Sequence, residues 1–262
     1  MKPVQGHLSQ HAYRVDSDEM LADVVARARG ASFRHLIAEQ LLSGRLVTFE
    51  GFMSGGRLTP IGVTDAVLHP NDISFLRFEY PTTLGSEPQQ RMADIAARLM
   101  PALGFDQSIF NIEFFLGEDG RPWIVEVNGR MASQFAPLVR AVHGVSTYEL
   151  QLELAAGGTP VLPPPRDGIV AASFLLRTYE DAIVRSVPDT APVTEELPGA
   201  HVEVLVREGQ RLSENDDDAL SHRLAVIALS GADRETLISR YERAVELLSF
   251  ELVPLRVASP SQ

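Results

Sequence analysis

The sequence contains no cysteine. Disulfides, thiolate catalysis and cysteine-ligated metal sites are therefore excluded, and the composition favours a reducing compartment. No apolar run reaches the roughly 18 residues that a membrane-spanning helix needs, and the N-terminal segment lacks the apolar stretch of a signal peptide. We therefore expect a cytoplasmic protein without a membrane partner.

Positive charge is also scarce. The 262 residues include 23 Lys and Arg against 35 Asp and Glu, which gives a net charge of −12. A protein that binds duplex nucleic acid usually presents a clustered basic face, and no such cluster is found here, so no nucleic-acid partner is expected. Acidity does not exclude a phosphate-bearing ligand, because a metal ion or a helix N-terminus can supply local positive charge.

Apolar periodicity and turn residues predict a chain that alternates strands and helices. Glycines and prolines between 157 and 165 predict a stiff linker before the C-terminal segment. The predicted strands are 11–15, 35–42, 45–52, 58–66, 109–116, 122–128, 169–177, 201–206 and 222–230; the predicted helices run from 16 or 17 to about 29, and over 88–103, 132–143, 147–156 and 233–249. Residues 70–81, bounded by prolines, are predicted to be irregular.

The segment 109–130 carries the residues with the clearest chemistry. Glu113 lies in one predicted strand and Glu126 in the next, with a tight glycine-containing turn between them. Antiparallel pairing brings two such carboxylates together if they share a face, and Asn128 and Arg130 follow Glu126 at the same parity. Oxygen ligands of this kind suit Mg²⁺, and an arginine can bind a phosphate or a carboxylate.

A hairpin with a charged, solvated face is the alternative interpretation. The neighbouring residues argue against it, because both predicted strands are strongly apolar and are expected to be buried on much of both faces. A carboxylate in such a strand needs a metal or a charged partner to avoid a desolvation cost on the order of several kcal/mol.

Glu113, followed thirteen residues later by Glu126, Asn128 and Arg130, resembles the metal-binding signature of the ATP-grasp enzymes. One departure is Gly129, where that family usually has proline. The resemblance implies that Glu113, Glu126 and Asn128 hold Mg²⁺ or Mn²⁺, and that Arg130 stabilises the oxygens of an acylphosphate.

Other segments resemble the ATP-binding parts of the same family. Lys2 occupies the place of a lysine on the nucleotide phosphates, and Gly6 and Ser9 the place of a glycine-rich phosphate loop. Residues 37–42 resemble the interdomain hinge beside adenine. Leu46 falls where many members have a ribose-binding glutamate, which Glu50 can replace. The implied ATP-binding residues are thus Lys2, Gly6, Ser9, Glu39, Gln40, Leu42 and Glu50, with Lys2 and Arg130 in catalytic roles.

The resemblance implies an α+β fold: an ATP-grasp fold with an antiparallel catalytic sheet, a shortened lid subdomain and a small C-terminal α+β domain similar to that of biotin carboxylases. Residues 1–42 are interpreted as a partial lid and hinge, 43–158 as the catalytic subdomain, 159–168 as the linker and 169–262 as the C-terminal domain. The family's N-terminal domain and first lid strand have no counterpart before Lys2, so a homodimer or a separate N-terminal subunit is considered as a partner.

The resemblance implies a magnesium- and ATP-dependent ligase that activates a small-molecule carboxylate as an acylphosphate for attack by an amine. Two alternatives stay open: a carboxylase-type protein that uses bicarbonate, and a degenerate subunit that binds nucleotide or a partner without catalysis. Arg77 is considered as a substrate-facing residue or a surface arginine. Residues 216–218 are interpreted as a solvated acidic turn.

Overall fold

The computed structural model describes residues 1–4, 13–30, 35–70, 74–214 and 221–255. Gly6, Ser9 and the acidic turn at 216–218 lie outside these ranges. Within them, no helix combines the length and the apolar character required to cross a membrane.

The described chain is a mixed α/β structure dominated by one large antiparallel sheet. Its strands are β1 Lys2–Pro3, β2 Leu36–Ile37, β3 Arg45–Ser54, β4 Arg57–Leu68, β5 Phe75–Tyr80, β6 Ser108–Leu116, β7 Pro122–Asn128, β8 Val170–Thr178, β9 Ala182–Ser186, β10 His201–Val204, β11 His222–Gly231 and β12 Glu251–Pro254. Its α-helices are α1 Asp18–Gly30, α2 Ser86–Ala102, α3 Ala136–His143, α4 Thr147–Ala155, α5 Ala191–Glu196 and α6 Arg234–Leu247.

Eight of the described strands form one sheet in the order β10-β11-β8-β5-β4-β3-β6-β7. Two further pairs, β1 with β2 and β12 with β9, are separate two-stranded ladders. The β3–β4 turn is made by Gly55 and Gly56, whose φ angles of 59° and 73° are readily adopted only by glycine. This turn joins the two strands that the sequence predicts at 45–52 and 58–66.

One face of the sheet is covered by α2 and α6. The apolar side of α2 packs Met92, Ala96 and Met100 against β3 and β6, where Phe110, Ile112 and Phe114 are buried. Leu237 and Ala244 of α6 cover the β8 and β11 part of the same face. Helix α2 ends at Ala102, and Gly104 follows in a left-handed conformation with φ 68°, which is typical of a glycine after a helix C-terminus.

The opposite face is covered in part by α3 and α4. Leu138 and Val142 of α3 pack with Tyr80 of β5, and Leu150 and Leu154 of α4 pack with Ile109 of β6. A capping box formed by Ser146 and Glu149 fixes the start of α4. The rest of this face carries the polar residues of the candidate site.

The structure corrects several sequence predictions. The segment predicted to be irregular, 70–81, contains β5, which alternates apolar residues with Arg77 and Glu79 in a strand period. Of the predicted strand 35–42 only β2 forms, and the described part of the predicted strand 11–15 is coil. Strands β9 and β12 and helix α5 were not predicted.

The large sheet continues across the predicted linker. Strand β8, which follows the linker, pairs with β5 through Arg77 opposite Phe174 and Glu79 opposite Ala172. The antiparallel sheet and the α+β character expected from the sequence are confirmed. The division at 42, 158 and 168 stays a prediction about the organisation of the chain.

Candidate active site

The register of the β6–β7 hairpin brings the predicted carboxylates together. Glu113 of β6 lies directly opposite Glu126 of β7, and Asn111 lies opposite Asn128. Residues opposite each other in an antiparallel pair share a face, with Cα atoms about 4.5–5.5 Å apart. Glu113, Glu126, Asn111 and Asn128 therefore form a polar patch on the face away from α2.

The two strands differ in burial. Strand β6 lies between β3 and β7 and is largely buried, as predicted, whereas β7 is the edge of the sheet. Trp123 and Ile124 of β7 are 39% and 43% exposed, and Glu126 is exposed as well. The expectation that both strands are buried on both faces is therefore wrong for β7, because no described strand pairs with its outer edge.

The electrostatics of this patch favour a cation. Burial raises the pKa of Glu113 above its ordinary value, and the neighbouring charge of Glu126 raises it further. The positive charges of Arg130 and Lys2 act in the opposite direction but do not outweigh these two effects. A bound cation would relieve both the desolvation and the carboxylate repulsion.

The donor set fits magnesium better than a softer metal. Within the described part of the chain no group of three or more His, Asp or Glu side chains gathers as if to hold a metal ion. A cation on this patch would therefore rest on two carboxylates and an amide, and Mg²⁺ commonly uses one or two carboxylates together with nucleotide phosphates and waters. The side chains present are compatible with that mode.

Lys2 lies near this patch although it is far away in sequence. It is the only lysine in the chain. Its ammonium Nζ is 2.7 Å from the Glu39 carboxylate, and its charge reaches Glu113 strongly enough to oppose the rise in that residue's pKa. The short β1–β2 ladder therefore holds Lys2 within electrostatic range of the acidic patch.

The hinge segment itself is open to solvent. Glu39 and Gln40 are exposed and Leu42 is half-buried, in coil that follows β2. Two residues predicted to bind the nucleotide, Lys2 and Glu39, pair with each other. The predicted phosphate-loop residues Gly6 and Ser9 cannot be placed, because they lie outside the described residues.

Glu50 is not presented to a ligand as the sequence interpretation expects. It is only 2% exposed, and its Oε1 accepts a hydrogen bond of 3.1 Å from the backbone N–H of Ala132. Burial raises its pKa to about 7, which that hydrogen bond partly opposes. The predicted replacement of a ribose-binding glutamate by Glu50 is therefore wrong for this conformation, since the carboxylate is enclosed beneath the site.

Two further observations revise the set of site residues. Asn111, which the sequence analysis did not single out, is 3% exposed and donates from Nδ2 to the carbonyl of Arg130 at 2.9 Å. The sequence does offer a signal for Asn111, because it lies two residues before Glu113 in the same strand and so points to the same face.

Arg77 is paired with Glu79 at 2.7 Å on the opposite face of the sheet, so it does not face the acidic patch.

Comparisons with known proteins identify the fold. No family model matches the sequence. A curated relative, the uncharacterized protein y4rH of Sinorhizobium fredii, is 29% identical over 229 residues, which are 84% of this chain and 45% of that protein. The chain thus spans less than half of that relative.

Solved structures match most of this chain. The L-amino acid ligase of Bacillus licheniformis has a TM-score of 0.75 at 18% identity, over 95% of this chain and 63% of that one. The biotin carboxylase domain of the Hydrogenobacter thermophilus 2-oxoglutarate carboxylase, in complex with MgADP, ADP and bicarbonate, has a TM-score of 0.73 at 17% identity, over 96% and 57% respectively. At these identities the likeness shows the fold, and the chain spans under two thirds of either structure.

Proposed function

The chain has the ATP-grasp fold, and from this premise we propose that it is part of a ligase that uses Mg²⁺ and ATP to activate a carboxylate for attack by an amine. The observation that carries the proposal is the register that sets Glu113 directly opposite Glu126, with Asn128 on the same face. The raised pKa of Glu113, caused first by burial and then by Glu126, supports a cation as the missing partner.

The proposed roles follow from the charges of the side chains. Glu113, Glu126 and Asn128 hold the metal ion, which neutralises charge on the nucleotide phosphates. Lys2 leaves its ion pair with Glu39 and binds the phosphates. The exposed Arg130 stabilises the oxygens of the acylphosphate. Phosphoryl transfer of this kind depends mainly on positioning and charge neutralisation, so no side-chain nucleophile is required.

The proposed reaction has two steps. A carboxylate oxygen of the first substrate attacks the γ-phosphorus of ATP and ADP leaves, which gives an acylphosphate. The amine of the second substrate then attacks the acyl carbon, phosphate leaves, and the amine proton passes to solvent. Small-molecule carboxylates and amines are the proposed substrates, and a second copy of the chain or a separate subunit is the proposed partner.

Thermal unfolding with and without Mg²⁺–ATP tests the binding step. At a ligand concentration about 100 times Kd, binding stabilises the folded state by about 2.7 kcal/mol, which corresponds to a Tm rise of roughly 5–10 °C for a chain of this size. We expect that rise in the parent protein and its loss in Glu126→Gln. Glu118→Gln is the matched control, because it makes the same chemical change at an exposed acid in the turn of the same hairpin.

Two results would count against the proposal. An unchanged Tm in the parent protein would exclude Mg²⁺–ATP binding by this chain. A rise of equal size in Glu126→Gln would show that the nucleotide binds without the acidic patch.

Phosphate release distinguishes the reaction classes. Release that requires both a carboxylate and an amine supports the ligase. Release that requires only bicarbonate supports the carboxylase-type alternative. The similarity of the fold to a biotin carboxylase domain is the reason to test it. Mg²⁺–ATP binding without release under any of these conditions supports a binding subunit without catalysis.

A further inference from the structure

The segment that leaves β7, residues 130–132, is held at two points by buried side chains. The carbonyl of Arg130 accepts a hydrogen bond from Asn111 Nδ2 at 2.9 Å, and the N–H of Ala132 donates to Glu50 Oε1 at 3.1 Å. Asn111 and Glu50 lie directly opposite each other in the β6–β3 pair. One pair of adjacent strands thus fixes the backbone on either side of Met131.

Both holding groups are shielded from water. Asn111 is 3% exposed and Glu50 is 2% exposed. Among the described residues, the N–H of Ala132 is the one hydrogen-bond donor recorded on the Glu50 carboxylate. Water competes poorly for hydrogen bonds in such a place, so both bonds restrict the backbone more strongly than exposed ones would.

Tyr80 lies against Gly62, the residue that pairs with Glu50 in the neighbouring strand. Gly62 lies opposite Glu50 in the β3–β4 pair, and a Cβ atom added at Gly62 would come within 2.7 Å of the Tyr80 hydroxyl. That hydroxyl is itself held, 2.9 Å from the carbonyl of Ile61 and 2.6 Å from His143 Nε2. His143 Nδ1 is in turn 2.6 Å from the carbonyl of Pro163. Tyr80 is therefore held in a fixed position beside Gly62, the residue opposite Glu50.

The environment of Glu50 is costly for a carboxylate. Burial raises its pKa to about 7, and its negative charge in turn contributes to a raised pKa of Tyr80, after burial of that residue. A buried ionised carboxylate held by a single backbone donor does not add stability, since an uncharged group of the same shape would avoid the desolvation cost. The hydrogen bond that Glu50 accepts from Ala132 indicates instead that it stabilises the conformation of residues 130–132.

We infer that Glu50 is a positioning residue that, together with Asn111, fixes the backbone of residues 130–132 and thereby directs the Arg130 side chain toward the acidic patch. The Arg130 side chain is exposed, and its charge reaches Glu113. The backbone is held at the Arg130 carbonyl and again at the Ala132 N–H, so the Arg130 guanidinium can reach fewer positions. Less entropy is then lost when the guanidinium binds a developing acylphosphate. The functional part of this inference rests on the proposed ligase activity.

Backbone hydrogen exchange tests the positioning without any assumption about the reaction. Glu50→Leu removes the acceptor, whereas Glu50→Gln keeps a carbonyl oxygen of the same reach. We expect the amide of Ala132 to exchange at least about tenfold faster in Glu50→Leu than in the parent, and Glu50→Gln to restore most of the protection. Asn111→Leu, which leaves Glu50 in place, is expected to loosen the Arg130 end of the segment.

Activity measurements test the consequence for Arg130. We expect Glu50→Leu to lower kcat at least about tenfold while the Tm rise with Mg²⁺–ATP stays within about 1 °C of the parent's, and we expect Glu50→Gln to restore kcat. If Glu50 had a purely structural role, Glu50→Leu would lower the stability of the protein without a selective loss of kcat, and Glu50→Gln would not rescue kcat.

The outcomes separate the two proposals. Unchanged exchange of the Ala132 amide in Glu50→Leu overturns the positioning role, and so does a kcat equal to the parent's. If Glu50→Leu does not fold, Asn111→Leu decides the question by kcat: a fall of at least about tenfold supports the positioning of the segment, and a kcat equal to the parent's overturns it. A parent protein that neither binds nor consumes ATP sinks the proposed function, while hydrogen exchange still decides whether Glu50 holds the segment.

Discussion

The ionisation of Glu50 links the stability of the protein to pH. Burial raises the pKa of Glu50 from 4.5 to about 7 in the folded state, so between these values the folded protein binds more protons than the unfolded chain. Stability contributed by the protonated acid is therefore present at pH 4.5 and is lost as pH rises toward 7. A shift of this size corresponds to about 3 kcal/mol.

Glu50→Gln should remove this pH dependence. We expect the variant to be more stable than the parent at pH 8, by up to about 3 kcal/mol, and the difference to shrink toward pH 5. Denaturant unfolding of both proteins at the two pH values measures this. The same difference at pH 5 and pH 8 would show that Glu50 does not change ionisation in this range.

At the scale of single residues, the sequence predicts which side chains of one hairpin lie near each other. The parity of Glu113, Glu126 and Asn128 and the glycine-containing turn between the strands are local, and the observed register agrees with them. The burial of Glu50 was not predictable, because it depends on Tyr80, Gly62 and Ala132, which come from three distant parts of the chain. Lys2 was singled out only through a family resemblance, since nothing local indicates that it approaches Glu113.

An ion-pair cluster formed by Arg234, the first residue of α6, helps to attach that helix to the sheet. Arg234 donates from Nε to Glu79 at 2.7 Å and from Nη2 to the carbonyl of Pro81 at 3.1 Å, and its Nη2 is 4.0 Å from the buried Asp65. Burial opposes ionisation of Glu79, but hydrogen bonds from Arg234 and Arg77 outweigh it and hold the pKa below its ordinary value. The ionised form of Glu79 therefore depends in part on Arg234.

Arg234→Met should destabilise the protein by roughly 3 kcal/mol, because it leaves the acids of this cluster short of a partner. Arg243→Met is the matched control in the same helix. Its guanidinium pairs with Glu196 and Glu246 at the exposed surface, where solvent screens ion pairs, so Arg243→Met should change the stability much less than Arg234→Met does. Denaturant unfolding measures both variants, and equal losses would show that the Arg234 cluster adds nothing beyond a surface ion pair.

This cluster also explains why β5 was not predicted. Arg77 and Glu79 alternate with Phe78 and Tyr80, and a charged pair at core-facing positions resembles an exposed loop when only the sequence is considered. Its partner, Arg234, lies 155 residues from Glu79. Elements marked by apolar residues at helical spacing, such as α2, or by a strongly apolar run, such as β6, were predicted within a few residues of their observed bounds.

At the scale of the whole molecule, the continuous sheet decides whether the chain unfolds in one step or two. A linker and a separate C-terminal domain are predicted at 159–168, yet β8 pairs with β5 and Arg234 of α6 contacts Glu79 of β5. A shared sheet and shared buried charges couple the two parts energetically. We therefore expect a single cooperative transition, as is usual where no separate core can open alone.

Trp123 makes this measurable, because it is the only tryptophan and lies on β7, the edge strand farthest from β10 and β11. Its fluorescence reports the β7 end of the sheet, while hydrogen exchange of β8 and β11 amides along the same urea series reports the other end. Coincident midpoints would support one cooperative unit. An earlier transition in β8 and β11 would support two units divided at the linker, and in that case Arg234→Met should separate the two midpoints further, since it removes a contact between them.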